Sequence, residues 1–318
     1  MTQVRELRLA QRMARLGTET AFEVLVKARA LEAKGRDIIH LEIGEPDFDT
    51  PSNIIDAACD ALHKSFTHYG PSAGLPQLRE VIAQHVSETR RVNVAPEEVV
   101  IVPGGKPIIF FSILALVEDG DEVIYPNPGF PIYESMINYV GAKAVPIRLR
   151  EELEFRLDVD ELAGLINDRT KLIILNSPHN PTGSVLNKND IEQLQKLVSD
   201  TNIFILSDEV YEHIIFDGNH HESILKYPDL FKRSFITFSF GKIFHCTGWK
   251  MGYCIAPDAL MKEFLKVHQY NCFCCNSPMQ FALAKFLENK NEYLELGNSL
   301  DRVAMEEPCG VTPILTFD

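Results

Sequence analysis

Positive charge is in short supply: 31 lysines and arginines face 45 aspartates and glutamates, a formal net charge of −14. Nucleic acid binds to positive fields, so this balance argues against a nucleic-acid partner. No apolar run approaches the ~20 residues that cross a bilayer, and no membrane partner is expected. The first residues, MTQVRELRLAQRMARLG, lack the apolar core of a secretory signal. They are basic and amphipathic, but Glu6 sits among them, so an N-terminal helix is expected rather than a mitochondrial leader. The cysteines number seven, an odd count without a pairing framework, which fits a reducing compartment and a cytoplasmic location. Cys272, Cys274 and Cys275 lack a second ligand pair at zinc spacing, so they are read as core or pocket-lining thiols and no metal is expected. His179, His220, His221 and His245 also lack a ligand spacing; His179 is a candidate pocket residue, the others structural or solvated. The stretch PGGKP (103–107) lacks the GxxxxGK[ST] spacing of a nucleotide-binding loop, and Pro107 stands where a magnesium-binding hydroxyl is needed. Internal repeats and low-complexity linkers are missing too.

What remains is ordinary globular composition, 45% apolar and 24% charged over 318 residues. That is enough for one large domain, or one large and one partial. Short apolar runs alternate with helical patterns. Strands are predicted at 122–126, 142–147, 171–176, 202–207, 235–239 and 252–256, with helices at 106–117, 130–140, 158–167 and 188–199. Several runs are apolar almost throughout, as in strands covered on both faces. The alternation predicts an α/β fold: a mostly parallel central sheet flanked by helices, joined by right-handed crossovers.

Ligands of such sheets sit beyond the carboxyl ends of the strands. The segments just after the strands are PNPGF (126–130), NSPHNPTG (176–183), SDEVY (207–211) and SFGK (239–242). They bring an aromatic, an amide, a carboxylate, a phenol, a hydroxyl and an amine toward one place. The loop PGGK (103–106) opens a helix and offers backbone N–H groups to an anion. An amine for an aldehyde, a carboxylate for a pyridine nitrogen, an anion cradle and a flat aromatic face match pyridoxal 5'-phosphate. Singly, each residue has a plainer use. Asp208 alternatively caps a helix, Phe130 is a core residue, Tyr211 is a structural tyrosine, and Tyr69 before Gly-Pro is a turn residue.

The residues also carry a family resemblance. LEIGEPDFDTP (41–51), HYGPSAGLPQLRE (68–80), NSPHNPTG (176–183), SDEVYEH (207–213) and SFGKIFHCTGWKMGY (239–253) occur in the order of the class I, fold-type I aminotransferases of the aspartate aminotransferase superfamily. Residues 219–296 resemble the methionine and aromatic branch, residues 38–150 the aspartate branch. The resemblance implies residues 1–45 as an N-terminal arm and small-domain segment, 46–296 as the cofactor-binding large domain, and 297–318 as a divergent tail. It implies Lys242 as Schiff-base lysine and proton shuttle, and Asp208 as partner of the pyridine nitrogen. Asn180 and Tyr211 then meet the ring hydroxyl, and Phe130 stacks on the ring. Gly104, Gly105 and Lys106 give N–H groups to the phosphate, with Ser239 and Lys250 beside it, Lys250 standing where the family commonly has arginine. Tyr69 reaches the phosphate of a neighbouring subunit, which implies a homodimer, and Gly44 and Asn180 border the substrate.

The implied reaction moves an amino group from an amino acid to a 2-oxo acid. Dicarboxylate-specific members carry an arginine in the segment matching QYNCFCCNSP (269–278). That segment has no cation here, so methionine-like or aromatic donors are expected. A C–S lyase on the same scaffold is the alternative within the class. The family's arginine for the substrate α-carboxylate lies in a C-terminal small domain. Arg302 is the only arginine after Lys250 and its setting, SLDRVAMEE, is not that motif. A chain with most of the small domain missing is therefore expected, and with it a second alternative: a cofactor binder without catalysis.

Overall fold

The computed structural model describes residues 8–46, 48–216 and 218–289. Its helices are α1 (Thr20–Glu32), α2 (Ser52–His63), α3 (Pro76–Arg90), α4 (Gly105–Leu116), α5 (Ile132–Val140), α6 (Val159–Leu165), α7 (Lys188–Val198), α8 (Pro228–Phe231), α9 (Phe240–Ile243), α10 (Asp258–Asn271) and α11 (Ser277–Leu287). Its strands are β1 (Val99–Val102), β2 (Glu122–Asn127), β3 (Lys143–Arg148), β4 (Thr170–Asn176), β5 (Phe204–Asp208), β6 (Ser234–Ser239) and β7 (Gly252–Ile255). They form one sheet in the order β1-β7-β6-β5-β4-β2-β3. Only β7 runs against its neighbours; the pairs among β2 to β6 are parallel.

Alternate residues of each strand enter different cores, as the two-residue period of a strand requires. Ile173 and Leu175 of β4 pack into one cluster with Ile205, Ile236, Leu78 and Leu194. Leu172 and Ile174 pack into the other with Leu206, Phe235, Phe111 and Tyr133. Both faces are thus dry, which is why these strands read as unbroken apolar runs. The parity matters at the tip of β5. Asp208 shares the parity of Leu206 and faces α4 and α5, whereas Ser207 and Glu209 share that of Ile205 and face the other way.

That far face holds a buried charge cluster. His221 Nε2 lies 2.7 Å from Glu209 Oε2, and Ser207 Oγ and the Ile224 N–H donate to Glu209 Oε1 at 3.0 and 3.2 Å. Burial pushes the Glu209 pKa up, but His221, Arg90 and a hydrogen bond from Ser223 hold it below its ordinary value. Arg90 pairs with Glu212 and covers the Phe238 ring.

Two expectations need correction. The described part of the N-terminal stretch is no amphipathic α-helix: it forms a 3₁₀ turn over Gln11–Arg15, with every residue exposed. So short a piece with no buried face cannot offset helix nucleation. Strand β1 was not anticipated, because four residues, VVIV, fall below the length of a clear pattern. Residues 297–318, with Arg302, lie outside the described residues. No helix among the described residues is long and apolar enough to cross a membrane.

Candidate active site

The parallel register brings the strand tips to one level. Asn176 pairs with Asp208, and Asp208 with Thr237. The Asn176 side chain ties the next loop to this floor: its Nδ2 donates to the carbonyls of Asp208 and Pro178 at 3.0 and 3.2 Å. Its Oδ1 accepts the Asn180 N–H at 2.8 Å. Asn176, absent from the expected set, is what links the backbone of Asn180 to that of Asp208.

Asp208 is 3% exposed. Its Oδ2 accepts from Tyr133 Oη at 2.7 Å and its Oδ1 from the Val210 N–H at 3.3 Å. Burial raises its pKa to about 6, against the lowering effect of those two bonds. No helix begins here; residues 210–213 are a turn, so the bond to Val210 closes a turn and Asp208 is not a helix cap. Tyr211 stands in that turn, its hydroxyl pushed up to about 12 by burial and by Asp208. Phe130 is half-buried, and its ring meets the edge of Tyr133 at 6.0 Å and 88°.

Lys242 sits on α9, a single turn between β6 and β7. Its amine lies 5.3 Å from the Tyr211 ring centroid and donates to the Gly44 carbonyl at 2.7 Å. Burial lowers its pKa; Glu45 opposes this, and Lys250 and Lys106 add to it. The segment bearing Gly44 is laid over this turn by two further bonds, Thr247 Oγ1 to Glu45 Oε2 at 2.7 Å and Thr50 Oγ1 to the His245 carbonyl at 2.6 Å.

The loop before α4 is shaped by what glycine omits. Gly104 has φ +90°, and a Cβ there would stand 3.3 Å from the Lys250 amine. Lys250 therefore points its charge at the entrance of α4, whose first-turn N–H groups have no intrahelical acceptor and no side-chain cap. The N–H of Gly104 itself donates to the Val102 carbonyl at 2.7 Å. The contribution of Gly104 is its missing side chain. Ser239 pairs with Gly252 across β6 and β7 and borders the same loop. Lys106 pairs with Glu19 and lies 5.3 Å and 5.9 Å from the Phe130 and Phe22 ring centroids.

Gly252, also unanticipated, is the floor of this cradle. A Cβ there would stand 2.7 Å from the Phe238 carbonyl oxygen and 3.1 Å from the Gly104 carbonyl carbon. Both neighbours are backbone and cannot swing aside. The variant Gly252→Ala is expected to lower stability by about 1–3 kcal/mol. It should also displace Gly104 and weaken pyridoxal phosphate binding. Thermal melts and a cofactor titration check both effects.

Tyr69 is not drawn into this cluster. Its ring is 87% exposed and meets Phe273 edge-on at 5.3 Å. It lines an open groove of about 640 Å³ with Leu62, His68, Cys274 and Cys275. His179 is buried, accepts or donates at Nδ1 with Thr182 Oγ1 at 2.8 Å, and is lowered by burial to about 4, so it is neutral. Among the described residues no cluster of His, Cys, Asp and Glu could hold a metal ion.

A flat ring with a basic nitrogen at one end and a phosphate at the other fits these donors. The buried carboxyl of Asp208 suits the nitrogen, and a lysine beside uncapped N–H groups in a space that a Cβ would fill suits the phosphate. The amine of Lys242 stands over the Tyr211 ring, and Lys250 and Lys106 both act on it.

A family model described as aminotransferase class I and II matches residues 36–306. The aspartate aminotransferase of Pyrococcus abyssi is 39% identical over 259 residues, 81% of this chain and 67% of that protein. Aromatic-amino-acid aminotransferase 2 of Thermococcus litoralis is 37% identical over 257 residues, 80% of this chain and 66% of that protein. A solved Escherichia coli structure, reported with a methionine aminotransferase function, superposes with a TM-score of 0.86 at 34% identity, over 95% of this chain and 76% of that one. The chain thus spans about two thirds of the length of these two curated relatives.

Proposed function

The chain belongs to the class I and II aminotransferases, which use pyridoxal phosphate, and from that premise we propose that it transfers an amino group from a neutral, methionine-like or aromatic amino acid to a 2-oxo acid. The observation that supports the proposal is one amine with a depressed pKa, Lys242, over the ring of Tyr211, whose hydroxyl is in turn acted on by the buried carboxyl of Asp208. When bound, the cofactor supplies an electron sink for the charge left at the substrate Cα. The residues supply the rest. Asp208 would keep the ring nitrogen protonated. Asn180 and Tyr211 would hydrogen-bond the ring hydroxyl, and Phe130 would cover the ring face. The N–H groups of Gly105 and Lys106, the Ser239 hydroxyl and the Lys250 amine would hold the phosphate. Lys242 would hold the cofactor covalently and, once displaced, take the proton from the substrate Cα. A base held in place is effective when its pKa lies near working pH, and burial with two neighbouring cations moves Lys242 that way.

The donor preference rests on charge. A second carboxylate needs a cation, since a buried unpaired charge is expensive. Lys106 is already paired with Glu19 and flanked by Phe22 and Phe130. Segment 269–278 adds Tyr270 and Phe273, both exposed, and no positive charge. Gly44 lies against Lys242 and would border the substrate backbone. The exposed rings of Tyr69, Tyr270 and Phe273 support a homodimer in which Tyr69 serves the partner's phosphate. A cytoplasmic location is part of the same proposal, supported by free thiols at all the described cysteines.

The experiment is a comparison of half-reaction rates with methionine, phenylalanine and aspartate. At least about tenfold preference for the neutral donors is expected, the range a missing charge contact sets. Aspartate turnover as efficient as that of phenylalanine would overturn the donor assignment.

A further inference from the structure

The residue that faces Asp208 from α5 plays no part in the functional assignment so far. Tyr133 has no solvent exposure, and its hydroxyl donates to Asp208 Oδ2 at 2.7 Å. The other carboxyl oxygen, Oδ1, takes the Val210 N–H at 3.3 Å. A carboxylate gripped at both oxygens cannot turn about its last torsion without breaking a bond, yet each oxygen keeps a lone pair for a further donor. Tyr133 is also built into the same turn as Phe130, since its N–H donates to the Phe130 carbonyl at 3.1 Å and the two rings cross at 88°. One turn of chain thus carries the ring that would cover the cofactor and the hydroxyl that aims its nitrogen partner.

We propose that Tyr133 is a positioning residue: its hydroxyl fixes the rotamer of Asp208 toward the cofactor nitrogen and favours the charged form of that carboxyl. The inference rests on the cofactor assignment above. Its electrostatic side is consistent. The groups acting on Asp208 are Tyr133 from α5, and Glu209 and Tyr211 from the exit of β5. Burial and Glu209 disfavour the carboxylate, while the Tyr133 and Val210 donors favour it. Tyr133 itself is pushed far above its ordinary pKa by burial and by Asp208, so it stays a donor at every working pH. A tyrosine kept only for packing would need any acceptor, and would leave the titration of Asp208 untouched when its hydroxyl is removed.

The test is Tyr133→Phe, which keeps the ring. In the apo-protein the Asp208 midpoint, followed by isotope-edited infrared spectroscopy, is expected to rise from about 6 by roughly one unit or more. The dissociation constant for pyridoxal 5'-phosphate should weaken by about tenfold or more. An unchanged midpoint with a cofactor affinity within twofold of wild type overturns the proposal and leaves the cofactor assignment standing. Failure of the wild type to bind pyridoxal phosphate overturns both. Should the variant not fold, the wild type decides: with ring-labelled tyrosine, the Tyr133 signal must shift with the same midpoint as Asp208. A Tyr133 signal flat across that titration overturns the proposal.

Discussion

Replacing Lys242 with alanine is expected to abolish turnover and covalent retention of the cofactor together. Loss of a positioned base alone costs about 10²–10⁴-fold, and here the same amine is assigned the covalent hold on the cofactor. The fold should survive. Alanine forfeits the bond to Gly44, but the overlying segment keeps its ties from Thr247 to Glu45 and from Thr50 to His245. The variant should therefore melt near wild type and still bind pyridoxal phosphate reversibly. After borohydride reduction, mass spectrometry should find the pyridoxyl group on Lys242 in wild type and nowhere in the variant. Added methylamine should restore only a trace of the half-reaction, because a group held in place acts at an effective concentration of about 10⁵–10⁸ M. A modified peptide elsewhere, or a half-reaction within tenfold of wild type, would remove Lys242 from its assigned role.

The second large effect is expected at Asp208, and it has opposite signs with and without cofactor. A carboxyl raised from 3.8 to about 6 binds its proton more tightly folded than unfolded. Stability from this group is therefore full below pH 3.8 and is lost as pH climbs through about 6, a loss on the order of 3 kcal/mol by pH 7. The neutral variant Asp208→Asn should make the apo-protein more stable at pH 8 by about 1–3 kcal/mol. With the cofactor the order reverses. Taking one partner from a buried charge pair costs about 2–5 kcal/mol, or roughly 30- to 5,000-fold in affinity. In wild type the melting increment on adding pyridoxal phosphate should grow between pH 5 and pH 8; in the variant it should stay flat. An apo variant less stable than wild type at pH 8 would mean that the buried carboxyl is not the strained group.

The central strands were legible because both faces of the sheet are dry, so their residues need no polar alternation. The tip residues were legible for the reason that parallel strands end together: Asn180, Asp208, Tyr211 and Lys242 stand on neighbouring exits. The direction of β7 was not legible. A parallel return needs a long crossover, and the lysine turn between Ser239 and Gly252 carries only the short α9 and a 3₁₀ turn, so the chain comes back antiparallel. That same reversal puts Gly252 behind Gly104, a contact between residues distant in sequence that no local pattern announces. Tyr133 was visible in principle, three positions after Phe130 at the start of a helix. Its hydroxyl, however, looks like any core tyrosine until its acceptor is known. Asn176 was read as the end of a strand, and only the return of the loop onto its own side chain shows its use.

The adjacent acids Asp208 and Glu209 point to opposite sides of one strand, and a slip of the chain by a single position would exchange them. The longer acid would then enter the pocket, and the shorter would stand opposite His221 in place of Glu209. The contacts behind the sheet stand against that error, since pulling Glu209 away would strip His221, Ser207 and the Ile224 N–H of their buried partner, at about 1–3 kcal/mol for each group left unsatisfied. Which of the two acids faces the pocket is thus indexed by groups on the opposite side of the sheet.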